Sequence, residues 1–124
     1  MSTSMPYWVA GRPATGDAVL EVTSPHDGRV AGSTTTATAT HVEEAVAAAV
    51  RAAAPFAAAP ASLRAAALDH VSRRIAERAE EFARLITAES GKPLKWSRAE
   101  VTRAVSTFRW GAEEARRWSG SSRW

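Results

Sequence analysis

Apolar and polar positions alternate through the first third of the chain, then recur every three or four residues to its end. Tyr7-Trp8-Val9-Ala10 reads as a short extended run that meets a Gly11-Arg12-Pro13 turn. Residues 18–23 alternate well enough for a strand and stop at Ser24-Pro25. Asp27-Gly28 then predicts a tight turn into an extended segment over residues 29–34. The expected product is a small antiparallel β arm within residues 1–35, with too little apolar surface to stand alone. Trp8, Val9, Leu20, Val22 and Val30 are therefore expected to pack on the following helices or on other parts of a larger protein.

Helical spacing begins at Thr40. Thr40 and Glu43 make a Thr-x-x-Glu capping box, and Val42, Ala45, Val46, Ala49, Val50 and Ala53 form the apolar stripe behind it. Pro55 is expected to close this helix, leaving Phe56 in an alanine-rich loop that ends at Pro60. Ser62 is a candidate cap for a second run lined by Leu68, Val71, Ile75, Ala79, Phe82 and Ile86. That run is long enough to divide into two helices near residues 79–81. Gly91 suits the left-handed position past a helix end, while Pro93 either stops the helix or opens the next one. From Ser97 a further stripe follows through Val101, Ala104, Val105, Phe108, Ala112, Ala115 and Trp118, ending at Ser119-Gly120.

Composition qualifies this picture. Alanine supplies 28 of the 124 residues, so much of the 45% hydrophobic content is small side chain. Burial stabilises in proportion to apolar area, at roughly 25 cal/mol per Å², so marginal independent stability is expected. There is no cysteine, which removes disulfides, thiolate metal sites and a cysteine nucleophile from these residues. Residues 1–60 carry a net charge of −2 and residues 61–124 one of +5. Most of the arginines in the basic half stand at helical spacing from glutamates, as on a solvated face. The opening residues lack a basic segment followed by an apolar run, and the apolar runs are far short of a membrane span. A cytoplasmic location is the expectation.

Candidate chemistry is sparse. His26, His41 and His70 are too scattered for a metal site. Glu77, Glu80, Glu81, Glu89 and Glu100 have arginine neighbours that favour ionised, solvated carboxylates over an acid–base pair. Ser90 and Ser97 have no histidine base close in sequence. Gly91-Lys92-Pro93 lacks the strand, the spacing and the following Ser/Thr of a phosphate loop. Trp96 and Trp110 lie among basic residues, yet no nucleic-acid-binding module is present. They are expected to anchor the last helix to neighbouring domains, and neither nucleic acid nor membrane is an expected partner.

The order of the motifs says more than any one of them. Gly11-Arg12, Ser24-Pro25-His26-Asp27-Gly28-Arg29-Val30, Leu63-Arg64, Arg73-Arg74-Ile75-Ala76-Glu77-Arg78 and Glu80-Glu81-Phe82 precede Glu89-Ser90-Gly91-Lys92-Pro93-Leu94. Ala99-Glu100-Val101, Phe108-Arg109 and Ala112-Glu113-Glu114-Ala115-Arg116 complete the series. In this order they resemble the N-terminal part of the NAD(P)-dependent aldehyde dehydrogenase superfamily, over about residues 6–120.

The resemblance implies an α/β parent fold. Residues 1–35 would be a β arm belonging to a bridging or oligomerisation region, and residues 36–124 the opening helices of the cofactor-binding domain. The parent would be a homodimer or homotetramer that oxidises a small aldehyde with NAD or NADP. The family's chemistry runs through a cysteine thiohemiacetal, with a glutamate base and an asparagine in the oxyanion hole. No residue here corresponds to these, so the chain has no expected catalytic, cofactor or metal residues of its own and is expected to be inactive alone.

One carry-over is possible. In the family, the start of the last helix represented here can border the substrate entrance, which brings forward Glu100 and Arg103, with Trp96 and Arg109 beside them. An arginine there suits an aldehyde bearing a carboxylate, phosphate or phosphonate. The pattern from Arg103 to Trp110 resembles members acting on small polar or acidic aldehydes, of the succinate-semialdehyde or phosphonoacetaldehyde dehydrogenase type. The competing reading of Arg103 is a surface or interdomain ion pair. The tail Ser121-Ser122-Arg123-Trp124 departs from the family pattern. A fragment of such an enzyme is expected; the alternative is a non-catalytic helical interaction or oligomerisation protein.

Overall fold

A computed structural model describes residues 4–117. Four strands, β1 (Tyr7–Val9), β2 (Arg12–Ala14), β3 (Val19–Thr23) and β4 (Val30–Thr35), precede four helices, α1 (Ala39–Ala58), α2 (Ala61–Glu77), α3 (Ala79–Ser90) and α4 (Leu94–Arg117). The described residues fall into two compact units. One holds those up to Ala58 together with Ala88–Gly91; the other holds Ala59–Thr87 and those from Lys92 onward.

In the first unit the arm forms two separate two-stranded antiparallel ladders, β1–β2 and β3–β4. Val9 stands opposite Arg12, so Ala10 and Gly11 make a two-residue turn with φ of 51° and 78°. Such turns match the right-handed twist of their strands. Arg12 and Pro13, expected in the turn, therefore belong to β2; proline is tolerated because a two-stranded ladder leaves each strand one edge without a partner. Between β3 and β4, the Gly28 N–H donates to the Ser24 carbonyl at 2.9 Å and the Ser24 N–H to the Arg29 carbonyl at 2.8 Å. Of the apolar side chains expected to pack, Val9 is buried and Val22 half-buried, whereas Trp8, Leu20 and Val30 are largely exposed.

The start of α1 differs from expectation. Thr38, not Thr40, is its cap: the Thr38 hydroxyl accepts the His41 N–H at 3.2 Å and its carbonyl accepts the Val42 N–H at 3.1 Å. Threonines at 36, 38 and 40 offer equivalent hydroxyls, and tertiary contact selects among them. Starting at Ala39 turns His41 toward β1, where its Nδ1 shares a 2.6 Å hydrogen bond with the Tyr7 hydroxyl. The helix also runs through Pro55 to Ala58. In the last turn a proline forfeits one backbone bond, and the surrounding alanines favour helix. Phe56 is accordingly helical and exposed, not a plug within a loop. None of α1's residues is fully buried; His41, Ala45 and Ala48 are half-buried, while Val42, Val46 and Val50 are 51%, 55% and 70% exposed.

The second unit is helical. Pro60 caps α2 through its backbone, its carbonyl accepting the Leu63 and Arg64 N–H groups at 3.0 and 3.3 Å, so Ser62 lies inside the first turn. The long run breaks at Arg78, whose φ of −110° and ψ of 21° leave helical geometry for one residue. Its N–H still reaches the Ile75 carbonyl and its carbonyl takes the Phe82 N–H, at 3.2 and 3.1 Å, so the joint keeps its backbone bonded.

Small side chains fill the α2–α4 seam. Ala65 and Ala112 are completely buried, and a Cβ on Gly111 would sit 3.4 Å from the Leu68 Cδ1. The Ser72 hydroxyl donates to the Val105 carbonyl across the seam at 2.9 Å. Val101 is buried, and Ala104, Val105, Phe108 and Ala115 are half-buried, matching the predicted stripe. Trp118 and the Ser119-Gly120 stop lie outside the described residues.

Candidate functional site

The candidate residues sit on α4 and on the turn that launches it. Gly91 ends α3 in the left-handed region at φ 69°. Pro93 then opens α4: its carbonyl accepts the Trp96 N–H at 2.8 Å and the Ser97 N–H at 3.2 Å. The helix therefore starts three residues before the Ser97 where the apolar stripe begins.

Trp96, Arg103 and Trp110 are spaced by seven, which returns to nearly the same side of a helix. All three are exposed, the tryptophans by 59% and 73%. The opposite side carries Val101, Val105 and Phe108 into the helical packing. Arg109 is separated from this row. It lines a shallow cavity of about 280 Å³ with Asp69, Ser72, Arg73, Ala76 and Val105. Glu100 is half-buried and ion-paired with Lys92. The hydrogen bond from the Lys92 ammonium holds the Glu100 carboxyl below the usual carboxylate range; the Lys92 charge and then that of Arg103 add to the effect.

The sequence gives Lys92 no role once a phosphate loop is set aside; the structure pairs it with Glu100. A lysine eight positions before a glutamate carries no periodic signal, because the intervening turn decides whether they meet. The Lys92 ammonium engages Glu100, and the Trp96 and Ser97 amides are bonded to the Pro93 carbonyl.

Neighbouring carboxylates pair with arginines at helical spacing, and Glu80 also meets an arginine from another helix. Glu80 accepts the Arg98 Nε at 2.9 Å and Nη2 at 2.8 Å, and the Arg84 Nε at 3.1 Å. The Arg98 hydrogen bonds lower the Glu80 pKa, and Arg78 does the same for Glu81. His41, the histidine with a partner on the strands, lines a separate cleft of about 550 Å³ with Arg12, Glu44 and Arg51.

The sequence profile of the aldehyde dehydrogenase family matches residues 8–124. Aspartate-semialdehyde dehydrogenase 1 of Pseudomonas canavaninivorans is 38% identical over 101 residues, covering 82% of this chain and 22% of that protein. The 3-sulfolactaldehyde dehydrogenase of Pseudomonas putida is 37% identical over 110 residues, covering 89% of this chain and 20% of that protein. The crystal structure of aldehyde dehydrogenase 21 from Physcomitrella patens, in complex with the reaction product succinate, superposes with a TM-score of 0.92 at 38% identity, over 98% of this chain and 25% of that one. The chain thus spans about a fifth to a quarter of the length of these relatives. With the β arm and its following helices in the same order, it belongs to the aldehyde dehydrogenase family.

Proposed function

We propose that this chain is the N-terminal portion of an NAD(P)-dependent aldehyde dehydrogenase acting on a small aldehyde with an anionic far end, and that Arg103 meets that anion. The observation carrying the reading is the row Trp96–Arg103–Trp110: an exposed guanidinium between two exposed indoles, with no ion pair to Arg103 among the described residues. A guanidinium offers paired N–H donors to a carboxylate, phosphonate or sulfonate. Aspartate semialdehyde carries a carboxylate and 3-sulfolactaldehyde a sulfonate, and those names belong to similar proteins. Glu100, tied to Lys92, sits one turn earlier as part of the same entrance.

NAD or NADP, the nucleophilic cysteine and its supporting groups belong to residues other than these. In the parent, a homodimer or homotetramer, the β arm would join the bridging region and the exposed valines of α1 would pack on the cofactor domain. The chain alone is inactive.

The test is kinetic. In a full-length enzyme carrying this segment, Arg103→Gln should raise KM for succinic semialdehyde by about 10- to 100-fold, the loss expected for a charge-assisted hydrogen bond. KM for butanal should not change. An equal effect on both aldehydes removes the assignment. Steady NAD-dependent oxidation of either aldehyde by the purified 124-residue chain would overturn its predicted inactivity.

A further inference from the structure

Three glutamates of α4 have an arginine three residues further on. Glu113 and Arg116 close to 3.4 Å, and Glu114 and Arg117 close to 3.5 Å. Glu100 and Arg103 have the same spacing and order on the same helix, yet they form no ion pair. The Glu100 pair differs in having Lys92, which reaches the carboxylate from the turn before the helix.

The direction of that reach matters. Lys92 precedes α4, and Arg103 lies nearly a turn beyond Glu100, so the two cations flank the carboxylate along the chain. An ammonium in contact with Glu100 weakens the pull on Arg103; unlike Glu80, which accepts both Arg98 and Arg84, Glu100 closes on Lys92 alone among the described residues. Without Lys92, the ordinary i, i+3 attraction would draw Glu100 to Arg103. We propose that Lys92 is a positioning residue: it occupies Glu100 and so keeps the Arg103 guanidinium open for the anionic end of the aldehyde. This rests on the substrate role given to Arg103 above.

The exchange can be followed in the 124-residue chain by carboxyl NMR of Glu100, separately from any kinetics. In Lys92→Gln, the Glu100 pKa should stay below the ordinary range because Arg103 takes over, and adding Arg103→Gln should then raise it clearly. With Lys92 present, Arg103→Gln alone should move it little. Lys92→Arg should restore the parent pattern. A Glu100 that reaches its ordinary value in Lys92→Gln, with no further response to Arg103→Gln, overturns the inference. So does loss of helical circular dichroism in Lys92→Gln, since the pair would then be holding the fold.

In a full-length enzyme carrying this segment, Lys92→Gln should raise KM for succinic semialdehyde about two- to fivefold, the competition expected from one exposed ion pair, with kcat unchanged and Lys92→Arg rescuing it. No KM response to Arg103→Gln would sink the substrate role, whatever the NMR shows. A response to Arg103→Gln with none to Lys92→Gln would sink the role of Lys92.

Discussion

The completely buried Ser97 hydroxyl meets the Thr87 hydroxyl at 2.9 Å, joining α3 to α4. No larger side chain in the described residues is so fully enclosed. Ser97→Ala should cost about 1 kcal/mol, the usual net value of a hydrogen bond. Ser97→Leu should cost about 1–3 kcal/mol by overpacking. Urea denaturation followed by circular dichroism would read both, and a neutral Ser97→Leu would contradict the packing.

Gly91 makes a second prediction. Its φ is 69°, and a Cβ would stand 2.9 Å from the Pro25 Cγ. Gly91→Ala should therefore lose about 1–2 kcal/mol from the left-handed backbone, with crowding against Pro25 adding to it. Glu89→Ala, two residues earlier in helical geometry and exposed, serves as the comparison. An equal midpoint for the two variants would remove the backbone argument.

The Glu80 pairing predicts a response to acid. Hydrogen bonds from Arg98 put its folded pKa below its unfolded value, which is about 4.3. The stabilisation is thus fully present above that unfolded value and is lost as pH falls through the lower, folded one. Because both partners are about half exposed, salt should screen the effect. Denaturation midpoints of the parent and Glu80→Gln should converge as pH drops from about 5 to about 3, and should lie closer together in about 1 M salt. A gap that stays constant with pH would show that Glu80 contributes by something other than charge.

The outer side of α1 supplies a fourth. Val42, Val46 and Val50 are more exposed than covered, so polar replacements there remove little packing within this chain. Val46→Gln with Val50→Gln should shift stability by less than about 0.5 kcal/mol per site while reducing self-association at high concentration. Sedimentation velocity alongside thermal melting would check this; a large loss of stability would mean that the valines are packed.

How legible the fold was depends on what fixed each feature. The α4 stripe could be read because Val101, Ala104, Val105, Phe108 and Ala112 keep one helical period and pack along one seam. The break between α2 and α3 was visible within a residue or two as an excess of length. The ends of α1 were not legible. Alternating threonines gave several equal caps, and Pro55 does not overrule a last turn made mostly of alanine. Ser72 and Ser97 were also missed, since a buried hydroxyl looks like a surface one until its partner across the helix interface is known.

The candidate site divides in the same way. Trp96, Arg103 and Trp110 are spaced by seven in the sequence, but that they share one exposed side is seen only on the folded helix. The meeting of Lys92 with Glu100 depends on how Gly91 and Pro93 turn the backbone, which no periodicity encodes. The sequence sets Arg109 beside Arg103, but the helix between them carries it to another side, where it lines the cavity beside Asp69 and Arg73.

The small-residue seam between α2 and α4 has a calorimetric consequence. Heat-capacity change on unfolding follows the apolar surface newly exposed to water. Ala65, Ala112 and Gly111 contribute little such surface, and large residues such as Trp96 and Trp110 already meet solvent. The chain should therefore unfold with a heat-capacity increment below the usual ~12–15 cal/mol/K per residue. Its stability would vary with temperature along a shallow curve, governed more by fit between helices than by the temperature dependence of hydration.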